Sequence, residues 1–229
     1  MADELRRLGV PVKARWVQGE IALQEGSIDG ALEEWNGVLE IDPGNLDALF
    51  SLGTWYLDGR DFWRAEPLLA KAARLHPDTA AVRYHYGRTL FSLGKNKEAI
   101  VELREVERLA GTREQYPLVR YLVGLASHKL KRETEAAAAL QAYLEWAYTQ
   151  ALTAVEVDAH MKLAEVYDAL DRRLDAHKER QKGDDLRRRL AAAAAQAAAQ
   201  APPRDTAAPA APGAAPAPTP VPGSPPAGS

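Results

Sequence analysis

The chain has 229 residues, 46% of them apolar and 27% charged, with a formal charge of -3. That is a globular composition, and the length makes one domain the first expectation. The slightly acidic balance withholds the basic face that nucleic acid requires, and the absence of cysteine excludes a disulfide frame or a thiolate metal site.

Residues 1–11 read as a lead-in. The opening MADELRRLGVPVKARW holds no apolar run long enough for a signal peptide. No stretch approaches the ~18 apolar residues of a membrane helix, and the alanine-rich segment at 190–201 is too short and too weakly apolar. The expectation is a chain without membrane insertion, cytoplasmic, or periplasmic if a signal sequence has been removed.

From residue 12 the sequence repeats. Gly19, Gly53 and Gly87 are separated by 34 and 34 residues, Ala31, Ala65 and Ala99 show the same intervals, and Pro43 and Pro77 add a third series. Self-similarity at such a period marks stacked supersecondary units. The second unit (46–79) reads as helix–turn–helix. Leu49, Leu52 and Tyr56 share one face of its first helix. Asp58-Gly59 stops that helix through the left-handed conformation glycine tolerates, and Asp61 caps the next. Ala65, Leu68, Leu69 and Ala72 form the buried face of the second helix, which ends before His76-Pro77. Pro67 falls beyond its first turn and forfeits a backbone bond toward Trp63, a cost of roughly 3 kcal/mol in a helix interior, so a kink or a late start is expected. Farther on the period slips: Gly124 and Ala136 lie 37 residues after their predecessors, and Ala164 and Ala176 lie 40 after those. Both columns slip together, so the extra residues belong in the loops near GTREQYP and YTQALTAVE.

These columns resemble the tetratricopeptide-repeat (TPR) family. Leu52-Gly53, Tyr56, Ala65, Ala72 and Pro77 match its pattern in the second unit; Gly19, Ala31, Trp35 and Pro43 match in the first; Gly87, Ala99 and Leu103 match in the third. The fifth unit keeps Leu163, Ala164, Tyr167 and Ala176, and the first departs with Ala22 where the family favours Tyr. The resemblance implies an all-α, right-handed superhelical solenoid of about five helical hairpins with a C-terminal capping helix and a disordered tail. Repeats one to four occupy 12–156, and a fifth, degenerate repeat with the capping helix occupies 157–190. The rest, 191–229, is an alanine/proline-rich tail. The arginines at 187–189 look like a basic patch, but Asp184 and Asp185 one turn earlier blunt it and make it a solvated face. Ten prolines within 201–229 give that segment polyproline-II bias. Its P-x-x-P spacings at Pro209/Pro212 and Pro222/Pro225 lack a basic anchor, so it reads as a spacer. Arginine exceeding lysine, with abundant alanine and proline, fits a bacterial source.

For function, the resemblance implies that the first helices line a concave groove. The fifth position of each unit there is Trp16, Phe50, Tyr84, Tyr121 and Met161, and flanking groove positions add Leu57, His85, Arg88, Phe91, Leu122, Leu125 and His128. Flat apolar surfaces with polar edges suit an extended or helical peptide, and aromatics often dominate interface energy. Candidate partner-binding residues are therefore Trp16, Phe50, Tyr84, Arg88, Phe91, Tyr121, Leu125 and His128. The alternative reading makes the same aromatics packing residues. The clamp that some TPR domains use on the acidic C-termini of chaperones is absent: its places hold Trp16 and Glu20, then Ser51, then Ala81 and His85. No enzyme, cofactor or metal site is expected, because the histidines are scattered, no H-E-x-x-H or phosphate loop occurs, and nothing orients Ser51 or Ser127 toward His85 or His128 as a nucleophile–base pair. The expected partner is a protein or peptide, held by an adaptor or scaffold. Two alternatives stand beside it: a homo-oligomeric assembly platform, motivated by Trp16, Trp35 and Trp63 read as exposed, and a pilotin-like accessory factor for pilus or secretion assembly.

Overall fold

The computed structural model of the protein describes residues 2–110, 115–148 and 154–200, with side chains from residue 12 onward. Ten α-helices occur among the described residues: α1 (Ala2–Gln24), α2 (Ile28–Ile41), α3 (Leu46–Asp58), α4 (Phe62–Leu75), α5 (Ala80–Ser92), α6 (Asn96–Leu109), α7 (Leu118–Lys129), α8 (Glu133–Ala147), α9 (Ala154–Ala169) and α10 (Arg173–Gln200). They pack as five hairpins. Each odd-numbered helix pairs with the next even-numbered one, and α3, α5, α7 and α9 also touch in succession. Among the described residues no packed pair joins two consecutive second helices. The first helices therefore line the inner face of an all-α solenoid and the second helices its outer face.

Local chemistry sets the helix ends. The Ala48 N–H donates to the Asn45 side chain at the start of α3 (3.1 Å), and the Arg64 N–H donates to Asp61 at the start of α4 (3.2 Å), each satisfying a donor the helix itself leaves open. Every hairpin turn places a left-handed residue at one register: Gly26, Arg60, Gly94, Lys131 and Asp171 all have positive φ. Their intervals of 34, 34, 37 and 40 repeat those of the glycine and alanine columns, so the hairpins are intact and the slips fall between them. Residues 111–114 and 149–153 of those connections lie outside the described residues. The turn corrects one expectation. Gly59 has φ -72, and Arg60 adopts φ 60 in its place. The left-handed residue directly precedes the cap Asp61, and a non-glycine there costs roughly 1–2 kcal/mol.

The helix α4 starts at Phe62 and runs through Pro67 to Leu75, so the late start expected for it does not occur. Trp63 and Pro67 are both exposed, which leaves the Trp63 carbonyl open to water rather than buried without a donor. Pro67→Ala restores the backbone bond and should raise unfolding free energy by about 1–3 kcal/mol, read from urea melts. An unchanged midpoint would mean that hydration already compensates the lost bond.

Packing within a hairpin depends on a small residue in the first helix facing a large one in the second. A Cβ on Gly53 would lie 2.7 Å from Leu69 Cγ, and one on Gly19 would lie 2.4 Å from Trp35 Nε1. Trp35 is thus not an exposed end residue, as the self-assembly reading took it to be. It is 1% exposed, seated against Gly19 in a cluster with Trp16, Ala22, Leu23 and Leu52, where its indole supplies the bulk that Ala22 lacks. In the fifth hairpin Ala164 stands in the glycine column, and its opposite number is Arg180, which turns away to pair with Asp168. Ala31, Ala65, Ala99, Ala136 and Ala176 form the second small-residue column and are essentially inaccessible.

The helix α10 serves as the second helix of the last hairpin and also caps the stack. It buries Ala176, Glu179 and Gly183 and leaves a polar outer face, as a solenoid end requires. Arg187 pairs with Asp184 at 2.9 Å and Arg188 with Asp185, which offsets two of the three arginines of the basic run. The helix continues to Gln200 and takes in the alanine tract assigned above to the tail. Alanine is the strongest helix former, so a helix already nucleated on α9 propagates through it. Residues 201–229 lie outside the described residues, so their expected disorder does too.

Candidate partner-binding groove

The predicted residues lie on the first helices α1, α3, α5, α7 and α9. Trp16, Phe50, Tyr84, Tyr121 and Met161, all on first helices, are each half-buried. At the N-terminal end the Trp16 Nε1–H donates to Ser51 Oγ (3.1 Å), whose hydroxyl donates to Glu20 Oε1 (2.9 Å). That chain ties α1 to α3 and commits Ser51 away from His85. In the middle, the His85 ring meets Phe50 and Tyr84 edge-on, each at 5.2 Å between centroids. Arg88 lies over the Tyr84 ring at 5.7 Å and donates toward His85 Nδ1 at 3.4 Å. Its ion pair with Asp58 is loose, at 3.8 Å.

Electrostatics follow from this crowding. Burial, helped by the Arg88 charge and opposed in part by Asp58, lowers the His85 pKa to about 4, so the ring is neutral at pH 7 and can accept from Arg88. Burial likewise raises the Tyr84 phenol, against a smaller opposing effect from Arg88. Tyr121 is pushed up first by burial and then by donating its hydroxyl to the Asp158 carboxylate. These phenols stay protonated, and Tyr121 is a fixed donor to Asp158.

Toward the C-terminal end, Lys129 sits over the Phe91 ring at 4.3 Å, an arrangement that holds a cation against an aromatic face. His128 Nδ1 lies 2.6 Å from Glu133 Oε2 and its Nε2 lies 3.9 Å from Glu165. Leu125 completes this stretch, half-buried on α7. Phe50, Tyr84 and Tyr121 also pack against hydrophobic clusters between repeats, so each supports the fold. Arg88 and Phe91 belong to no such cluster.

Sequence reasoning missed the cross-helix partners. An ionic group centred on the buried Glu179 joins α9 to α10, with His160 Nδ1 2.6 Å from Glu179 Oε2 and the exposed Lys182 Nζ 2.7 Å from Glu179 Oε1. Burial opposes the Glu179 carboxylate, but bonds from His160 and Lys182 overcome it and hold its pKa below the usual carboxylate range. Ser127 Oγ is buried without a hydrogen-bond partner, so His128 does not activate it. Among the described residues no group of three or more His, Cys, Asp or Glu is placed to hold a metal ion, and no helix is long and apolar enough to cross a membrane.

Five stacked hairpins with glycine and alanine columns and an inner aromatic row define a TPR solenoid, an architecture that offers extended concave surfaces for interaction. The tetratricopeptide repeat family profile matches residues 50–112. Its fold is similar to that of crystallised MamA at 23% identity, covering 76% of this chain and 96% of that one with a TM-score of 0.64. A second MamA structure aligns at 22% identity over 80% and 95% of the two chains, with a TM-score of 0.67. MamA 41-end from Desulfovibrio magneticus RS-1 aligns at 20% identity over 77% and 95%, with a TM-score of 0.66. No curated protein matches in sequence.

Proposed function

We propose that the chain is an adaptor or scaffold whose inner groove holds a segment of a partner protein. The observation that carries this reading is the placing of Trp16, Phe50, Tyr84 and Tyr121 on successive first helices, each half-buried. Rings already held by neighbours lose little entropy on binding, which favours affinity. The central cations, Arg88 over Tyr84 and Lys129 over Phe91, add polar anchors between the rings.

The test spares the packing aromatics and alters residues that belong to none of the hydrophobic clusters. Arg88→Ala/Phe91→Ala/Leu125→Ala, expressed in the native cell beside the wild type, should melt within a few degrees of it. The variant should lose its principal partner in affinity purification, with affinity down roughly tenfold or more, since truncating a few central residues removes most interface energy. Equal recovery of every partner by both baits would move binding off the inner face.

A further inference from the structure

The first helices are uneven in charge. Arg88 follows the glycine column by one residue, and the same register holds Glu20, Thr54, Leu125 and Glu165 in the other hairpins. The two acidic residues stand in the end hairpins and are engaged there, Glu20 by the Ser51 hydroxyl and Glu165 by Lys162. The arginine stands in the central hairpin, and its neighbours leave it largely free. A guanidinium has five N–H donors, yet Arg88 only directs one toward His85 Nδ1 at 3.4 Å and meets Asp58 at 3.8 Å. A second arginine lies beside it. Arg60, exposed in the turn between α3 and α4, lines one open cleft of about 330 Å³ together with Leu57, Asp58, Phe62, Arg88 and Ser92. The cleft thus sets two cations against the single carboxylate of Asp58. Phe91 follows Arg88 by three residues, on the same face of α5, and Lys129 from α7 lies over its ring. Among the described residues neither Arg60 nor Lys129 has a carboxylate partner.

We infer that the partner segment carries an aspartate or glutamate whose carboxylate enters this cleft between Arg60 and Arg88, beside an apolar side chain that packs on Phe91. The inference rests on the groove reading above and names the chemistry that the groove selects. Guanidinium forks match a carboxylate in both charge and shape. One carboxylate cancels the cleft's excess of one positive charge. A phosphate group, carrying close to two negative charges, would overshoot that balance and meet Asp58 with about twice the repulsion. A carboxylate shifted toward the first hairpin would meet Glu20, whose charge the Ser51 hydroxyl does not cancel, so repulsion there sets the register of the segment. Neither arginine stands at a place of the chaperone clamp, which here hold Trp16, Glu20, Ser51, Ala81 and His85, so this recognition is separate from that one.

The probe is a displayed library of random short linear peptides, panned on the full wild-type chain and on Arg60→Glu/Arg88→Glu. The wild type should enrich peptides with an acidic residue at one fixed place beside an apolar one. Their affinity should fall roughly tenfold or more on Arg88→Ala and weaken as salt rises. The charge-reversed protein should enrich lysine or arginine at the same place, a reversal that arginines serving only the fold would not produce. Arg60→Glu alone, at an exposed turn residue, should show the same reversal in weaker form if the double variant does not fold. Enriched peptides without a fixed acidic residue, or acidic ones indifferent to both arginines, would overturn the inference. If those peptides are lost on Phe91→Ala/Leu125→Ala, the groove reading survives alone. If they bind that variant too, or if no peptide is enriched, both readings fall. A synthetic peptide with phosphoserine at the acidic place that binds roughly tenfold tighter than its parent would overturn the assignment to a carboxylate.

Discussion

Leu69→Ala should destabilise the protein by about 2–5 kcal/mol, and Gly53→Ala should destabilise it as well, yet the two together should cost clearly less than their sum. Leu69 is fully buried, and truncating such a leucine removes transfer energy and leaves a cavity. Gly53→Ala acts in the opposite way, by overfilling. Its Cβ would stand 2.7 Å and 2.8 Å from Leu69 Cγ and Cδ2, with the next nearest atom at 3.6 Å. Overpacking of this kind costs typically 1–3 kcal/mol, against about 1 kcal/mol gained in helix propensity. Because the close contacts are to the Leu69 side chain, removing that side chain makes room for the new methyl. The coupling in a double-mutant cycle should therefore be about 1–3 kcal/mol in the rescuing direction. The fifth hairpin supplies the precedent, with Ala164 in the glycine column and Arg180 turned outward to Asp168. Urea melts of the four proteins decide the matter, and strictly additive losses would mean that α3 and α4 separate freely. Gly53 also lies one turn from Phe50 on α3, so a forced separation would displace a groove ring. In the single variant, partner affinity should fall together with stability.

The parts of the fold set by one helix and its partner were legible in the sequence. Glycine and alanine columns at 34, 34, 37 and 40 located the hairpins, because each column serves one steric contact that recurs in every repeat. The resemblance put the residues from Trp16 to Tyr121 on first helices, where they lie. Errors arose where one residue serves two geometries. Gly59 looked like the left-handed stop, but the turn requires that conformation one residue later, at Arg60, where sequence preference gives no sign of it. Trp35 was read both as a repeat-column residue and as an exposed end; only the space beside Gly19 shows that the column wins. The alanine tract after Leu190 was grouped with the prolines that follow it, although its own propensity extends α10 to Gln200. Contacts such as His85 with Arg88 and Phe50, Tyr121 with Asp158, and His160 with Glu179 were invisible beforehand. Most of them depend on how neighbouring helices meet, although His85 and Arg88, three residues apart on α5, share one helix face.

Acidification should weaken the fold through His85, and the loss should vanish in a His85→Phe variant. The imidazole is held neutral by burial and by the Arg88 guanidinium, with a folded pKa of about 4 against 6.5 for the free side chain. Above pH 6.5 neither the folded nor the unfolded chain protonates it, so it contributes no pH dependence. As pH falls from 6.5 toward 4 the unfolded chain takes up a proton that the folded chain refuses, and stability declines with it. Below about pH 4 both states are protonated and the loss is complete. The depression corresponds to roughly 3 kcal/mol at most, and partial exposure of the ring reduces it toward about 2 kcal/mol. Phenylalanine keeps the edge contacts to Phe50 and Tyr84 but has no proton to bind. The variant should be less stable than wild type at pH 7, because Arg88 loses its acceptor, and the gap should close or reverse by pH 4.5. Carboxylates elsewhere titrate alike in both proteins, so the difference between the two urea-melt series isolates His85. Parallel decline of the two would mean that the ring takes up its proton in the folded groove. Arg88 would then face a second positive charge at the centre of the surface proposed to hold the partner, and binding would be expected to show the same pH dependence.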